Sequence, residues 1–309
     1  MSHRLLWLLV APLGLGFWQA DEGSAWRTYM SDAQTAQERG HNSLAEGIYH
    51  AALREAERFG EQDQRLAETL NSLASLHLEQ GKYSEAEPLY QRASVLVEKV
   101  MGPGHPNVAV TLENLALLYF IQDKHSEAEP LYLRSLSIRE KVMGPEHPTT
   151  AETLNQLALI YHNQAKYSEA ESLYQRSLTI REKAHGPEHP NVAGILNNLA
   201  ALYQRQGKHS EAESFYRRSL AIREKVHGAE HPDVATSFHN LGLLYYVQGK
   251  YSDAESFFQR ALNIREKALA PDHPDLVTNL ESYADVLRKT GRGAEADEIL
   301  KRAKAIRRE

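Results

Sequence analysis

Val192-Ala-Gly-Ile-Leu-Asn-Asn-Leu-Ala200 is the stretch on which the fold turns, because the chain returns to it at a constant shift of 42 residues. The copies are Leu66-Ala-Glu-Thr-Leu-Asn-Ser-Leu-Ala74, Val108-Ala-Val-Thr-Leu-Glu-Asn-Leu-Ala116, Thr150-Ala-Glu-Thr-Leu-Asn-Gln-Leu-Ala158, Val234-Ala-Thr-Ser-Phe-His-Asn-Leu-Gly242 and Leu276-Val-Thr-Asn-Leu-Glu-Ser-Tyr-Ala284. A fixed period of this length marks a solenoid whose small units each bury one face against the next.

Within the period the apolar pattern is helical twice over. Leu112, Leu115, Ala116 and Tyr119 fall on one face of a first helix, and Ala128, Leu131, Tyr132, Ser135 and Ile138 on one face of a second. Small Ala or Ser alternates with Leu or Tyr along these stripes, which lets two helices interlock closely. Turns such as Gln206-Gly207-Lys208 and Gln248-Gly249-Lys250 let a helix stop and reverse. Ser84, Ser126, Ser168, Ser210 and Ser252 follow where an N-cap hydroxyl is expected. The longer link, Gly144-Pro-Glu-His-Pro148 and its copies, ends one helix at Gly and opens the next with Pro, whose missing amide costs nothing at the first helical position. Each unit is therefore helix, tight turn, helix and proline-bearing link.

Leu196-Asn-Asn-Leu-Ala-Ala-Leu-Tyr203, Gln206-Gly-Lys-His-Ser-Glu-Ala-Glu213 and Ile222-Arg-Glu-Lys-Val-His-Gly-Ala-Glu-His-Pro232 resemble the tetratricopeptide repeats of kinesin light chains and their bacterial relatives. The resemblance covers residues 66–309, with a degenerate first repeat over 26–65 in which Gln62-Asp63-Gln64 replaces the usual link. It implies an all-α, right-handed superhelical solenoid of 42-residue helical hairpins, closed by a C-terminal capping helix. It also implies that the first helices line a concave groove that holds a peptide or helical segment of a partner protein. The likeness stops at the N-terminus, where kinesin light chains carry a heptad coiled coil for the motor heavy chain and this chain has an apolar leader. Motor transport is therefore not implied.

At about 100° per residue, positions equivalent to Asn71, Ser75, Leu78 and Glu79 lie on the groove side of the first helix. Read down the repeats, that side offers Asn71, Asn155, Asn197 and His239 in one column, with Phe120, Asn163, Gln204, Arg205 and Tyr246 in its neighbours. Amides at one level per repeat can bond a peptide backbone whatever its sequence, and the aromatic residues can take apolar side chains. The competing reading is that these amides bond neighbouring helices or water, and that the aromatics pack between repeats.

Other functions find no foothold. Thirty-five basic against 41 acidic residues leave a net charge of -6, too little positive field for a nucleic-acid backbone or an anionic membrane. With no cysteine there is no disulfide, thiol nucleophile or Cys-ligated zinc. His105, His147, His189, His231 and His273 each precede a proline in successive units, so they cannot converge on one ion and read as structural caps. His185 and His227 add H-x-x-x-H pairs, but a Gly breaks the helix between the two rings. No nucleophile elbow, phosphate loop or zinc-protease motif is present. No catalytic residue, metal or cofactor is expected. Lys301, Arg302, Lys304, Arg307 and Arg308 read as the polar outer face of a terminal repeat.

The leader is a separate matter. One basic residue, Arg4, precedes an apolar run from Leu5 to Trp18, and Gly23-Ser24-Ala25 supplies small residues for a cut before Trp26. The run is shorter than the roughly 20 residues that span a bilayer. Residues 1–25 are thus expected to be a signal peptide, and the mature protein an exported one, periplasmic or extracellular. A retained anchor, which would be the only membrane contact, and a helix packed on the first repeat of a cytoplasmic adaptor or regulatory module of an enzyme complex are the alternatives.

Overall fold

Two apolar stripes per period produce two helices per period. The structure is a computed structural model that describes residues 23–307, and among them it contains fourteen helices and no strand. Of the expected leader, only residues 23–25 fall within the described part. The chain divides into two compact units, Met1–Gln164 and Ala165–Glu309.

In the first unit the helices are α1 (Ser24–Glu38), α2 (Asn42–Arg58), α3 (Gln64–Glu79), α4 (Tyr83–Met101), α5 (Pro106–Ile121), α6 (His125–Val142) and α7 (Pro148–Asn163). Three hairpins pair α1 with α2, α3 with α4, and α5 with α6, and α7 packs on α6. The degenerate repeat is a full hairpin, anchored where the Trp26 indole N–H donates to Thr69 Oγ1 at 2.8 Å. In the second unit the helices are α8 (Tyr167–His185), α9 (Pro190–Arg205), α10 (His209–His227), α11 (Pro232–Val247), α12 (Tyr251–Ala268), α13 (Pro274–Lys289) and α14 (Gly293–Ile306). Here α9 pairs with α10, α11 with α12, and α13 with α14, and α8 packs on α9. No helix among the described residues is long and apolar enough to cross a membrane.

The tight turns use a left-handed residue after the first helix, as at Gly81, Gly207 and Gly249. The amide two residues past the cap then returns to the last turn, as in Lys82 N–H to His77 O at 2.8 Å, which satisfies a carbonyl the helix would leave open. The links also behave as read. Each link histidine turns its Nδ1 onto the amide two residues ahead, from His105 on Asn107 at 3.2 Å to His273 on Asp275 at 3.1 Å. Proline occupies the first helical position behind it. At α3 the carboxylate of Asp63 plays the same part for Arg65.

The serine caps are a correction. The second helices begin one residue before each serine, and their N-cap residues are Lys82, Lys124, Lys166, Lys208 and Lys250, none of which makes a side-chain cap bond. Ser84 and Ser126 bond the carboxylates of Glu85 and Glu127 instead, both at 2.9 Å. The lysines are held for another purpose. Lys124, Lys208 and Lys250 lie over the rings of Tyr119, Tyr203 and Tyr245 at 5.4, 5.2 and 5.2 Å. The same phenols donate to Glu87, Glu171 and Glu213 on the preceding hairpin at 3.1, 2.8 and 2.8 Å. One lysine, one tyrosine and one glutamate thus form a clamp at each of these three hairpins, a combination of cation–π contact and charge-assisted hydrogen bond.

Candidate functional site

Whether a residue on the groove side is available for a partner depends on how much of its bonding capacity the stack consumes. In the first unit the stack consumes most of it. Asn71 is 6% exposed, and its Oδ1 accepts from Asn114 Nδ2 on α5 at 2.8 Å. At the next level stands Glu113, 1% exposed. Its Oε1 accepts from Ser135 Oγ and Thr153 Oγ1 at 2.6 Å each and from Arg139 Nε at 2.8 Å. Arg139 Nη2 closes the pair on Oε2. A buried carboxylate satisfied on both oxygens by side chains from two other helices is a structural knot, and removing Arg139 would leave its charge uncompensated in the interior. Phe120 lies 5.3 Å from the His125 ring across its own hairpin turn. Asn155 is half-buried and Asn163 exposed, both on α7.

The second unit carries the other five candidates. His239 is enclosed, its ring 5.3 Å from that of Phe258. Burial, with the Arg265 guanidinium adding to it, pushes the imidazole down to about 3, so it is neutral at any physiological pH. Gln204 accepts from the Tyr216 hydroxyl at 3.2 Å, and Tyr246 meets Tyr251 edge-on at 5.6 Å. Arg205 is exposed. Asn197 is half-buried and accepts from Asn240 Nδ2 at 2.7 Å.

That last contact defines the open part of the face. On α9, Gly194, Asn197, Ala201 and Gln204 follow one another along a half-buried stripe, and on α11 Asn240, Leu243 and Tyr246 do the same, with Val247 54% exposed at its end. Gly194 and Ala201 keep the stripe shallow, so a ligand backbone can approach. Among the described residues the Asn197 NH2 and the Asn240 Oδ1 have no further hydrogen bond. The pair therefore presents one donor and one acceptor side by side, which is the complement of a peptide group. Asn240 was not singled out from the sequence, although it belongs to a column of its own, Ser72, Asn114, Gln156, Asn198, Asn240 and Ser282, one residue after the asparagine column. The Asn114–Asn71 and Asn240–Asn197 bonds join one column to the other between successive first helices.

No group of three or more His, Asp or Glu among the described residues could hold a metal ion. The His185 and His189 rings stack at 4.6 Å, as do those of His227 and His231 at 4.4 Å, so each pair presents faces to one another rather than two lone pairs to one ion. At the C-terminus Lys301, Arg302 and Arg307 pair with Glu298, Glu266 and Glu281, in keeping with a polar end cap.

Similarity to known proteins agrees with this construction. The tetratricopeptide repeat model matches residues 65–141, 107–183, 149–225, 191–267 and 233–309, which overlap into one run. No curated protein matches the chain. Among solved structures, BtubC (BKLC) from P. vanneervenii is 25% identical with a TM-score of 0.57, over 74% of this chain and 91% of that one. The nearly identical TPR-like repeats of a kinesin light chain-type protein from Podosopora anserina are 28% identical with a TM-score of 0.55, over 66% and 96%. A Rap protein complexed with Competence and Sporulation Factor shares the fold, with a TM-score of 0.62 at 16% identity over 91% and 76%. With the repeat model matched over more than half of its length, the chain belongs to the tetratricopeptide repeat family, in its kinesin light chain-like form.

Proposed function

We propose that the protein is a non-enzymatic scaffold that holds an extended or helical segment of a partner protein on the first-helix face of its second unit. Tetratricopeptide repeats generally mediate protein–protein interaction, and a Rap protein of the same fold is found complexed with Competence and Sporulation Factor. The observation that carries the proposal is the half-buried Asn197–Asn240 pair, which keeps one donor and one acceptor beyond its mutual bond, on the stripe that also holds Gly194 and Ala201. Amides recognise backbone without regard to sequence, while Leu243, Tyr246 and Val247 offer apolar surface to side chains. Replacing Asn197 and Asn240 by Ala removes both valences, and water can reach the half-buried sites left behind. Capture of the partner from a native extract is expected to fall at least tenfold, with stability lowered by no more than about 1 kcal/mol. Unchanged capture would refute the assignment.

Export is part of the same proposal. Ser24 and Ala25 are exposed, and Trp26 is the first anchored side chain, so a cut before Trp26 leaves the packing of α1 on α3 intact. Sequencing of the mature N-terminus tests this: a start at Trp26 supports cleavage, and an intact Met1 or Ser2 rejects it.

A further inference from the structure

Five of the six links between hairpins are capped by an imidazole. His105, His147, His189, His231 and His273 accept the amide of Asn107, Thr149, Asn191, Asp233 and Asp275 through Nδ1. An imidazole can accept there only while that nitrogen is unprotonated, with its proton on Nε2. A proton on Nδ1 abolishes the cap and also places a positive charge at the positive end of the helix dipole. The same position in front of α3 is held by Asp63, whose pKa is lowered chiefly by its hydrogen bond to the Arg65 side chain, and which stays an acceptor in mild acid.

We propose that the five link histidines make the repeat stack acid-responsive: protonation releases the first turns of α5, α7, α9, α11 and α13, so that hairpins loosen link by link below neutral pH while the Asp63 cap holds.

The surroundings set an order among the five. At His189, burial, the stacked His185 and the nearby Arg181 all hold the imidazole below its usual range, and the neighbouring Glu188 is tied to Lys225. At His231, the Asp233 carboxylate lies 3.7 Å from Nδ1 and opposes the effect, although the stacked His227 works with it and Glu230 is engaged by Lys267. Arg223 and Arg265 donate to the carbonyls of Asp233 and Asp275, adding fixed positive charge at the starts of α11 and α13. The carboxylate of Asp275, 4.0 Å from Arg265, is the anion near His273, with Asp272 preceding it in the chain. His147 has the Thr149 hydroxyl at 2.8 Å and follows Glu146, and His105 caps Asn107, whose own side-chain amide is 3.4 Å from the Met101 sulfur. An imidazole held below its usual range keeps its cap further into acid, so His189 is expected to release last, and His231, where Asp233 opposes the effect, before it.

The sign follows from linkage. A histidine held neutral in the folded state contributes stability that is present above its unfolded pKa and is lost as pH falls through the folded one. The test replaces all five with Asn, an equally good cap that does not titrate. Between pH 7.5 and pH 5.0 the melting temperature of the parent is expected to fall on the order of 10 °C further than that of the H105N/H147N/H189N/H231N/H273N variant. The buried His77 and His239 are present in both proteins and cancel in the difference. Parallel curves would overturn the proposal. NMR titration of the ring protons of the unaltered protein decides the matter even if the variant fails to fold: link histidines titrating below the ordinary value of about 6.5 support it, and values at or above that overturn it.

Discussion

Glu68 shows what a single side chain contributes when the stack gives it no partner. It sits half-buried on α3, and burial alone pushes its carboxyl up to about 7. The folded protein therefore keeps a proton that the unfolded chain releases near 4.5, and stability declines as pH rises from about 4.5 to 7, then levels off. Glu68→Gln removes the ionisation and keeps the shape. At pH 8 the variant is expected to be more stable than the parent by on the order of 2 kcal/mol, and at pH 4.5 nearly equal to it, as denaturant midpoints at the two pH values would show. A uniform offset at both would mean that burial is not what perturbs this carboxyl. Glu113 differs because its two oxygens are filled by Ser135, Thr153 and Arg139. Both residues lie on first helices, and the sequence alone could not tell an unpartnered carboxylate from a saturated one. That difference depends on side chains of three helices some 22 to 40 positions apart in the chain.

Elements end where local chemistry dictates, and there the sequence was most informative. The left-handed position after each first helix reads Gly40, Gly81, Asp123, Ala165, Gly207, Gly249 and Gly291, with φ of 74°, 72°, 58°, 59°, 75°, 74° and 80°. Two of the seven are not glycine, yet the turn keeps its shape. A residue with a Cβ is strained there, Asp less than Ala because its carboxyl can bond locally. Ala165→Gly is expected to stabilise the protein by up to about 1 kcal/mol, after subtracting the greater freedom of glycine in the unfolded chain, and Asp123→Gly by less. Urea midpoints of the two single variants check both the sign and the ranking. The histidine caps and Pro starts were legible for the same reason, since a cap involves residues two apart. The serine caps were misread because a hydroxyl two residues into a helix looks, in sequence, like one at its mouth, and because the clamp that fixes Lys124 or Lys208 at that mouth involves a tyrosine and a glutamate from other helices. Asn240 was missed likewise: its partner Asn197 is 43 positions away, one more than the period, so the two never align in the same column.

At the scale of the molecule, a repeat stack distributes energy by nearest neighbours, and damage in one hairpin should stay near it. Gly242 provides the means to see this. It stands where the other repeats have Ala74, Ala116, Ala158, Ala200 and Ala284, because a Cβ there would lie 2.7 Å from Cε1 of Phe258. Phe258 is fully buried, with the His239 ring 5.3 Å from its own between centroids. His239 is larger than the Asn of Asn71, Asn155 or Asn197 in the same column, which accounts for the ring crowding Gly242. Ala gains about 1 kcal/mol in helix propensity over Gly, whereas overpacking costs about 1–3 kcal/mol, so Gly242→Ala is expected to destabilise on balance by about 1 kcal/mol. Adding His239→Asn should return most of that loss by giving Phe258 room. Hydrogen exchange should quicken in α11 and α12, where the clash lies, and stay unchanged in α3 to α6 of the other unit. Quickening throughout both units would show instead that the array unfolds as one cooperative body, and that its energetics cannot be read one hairpin at a time.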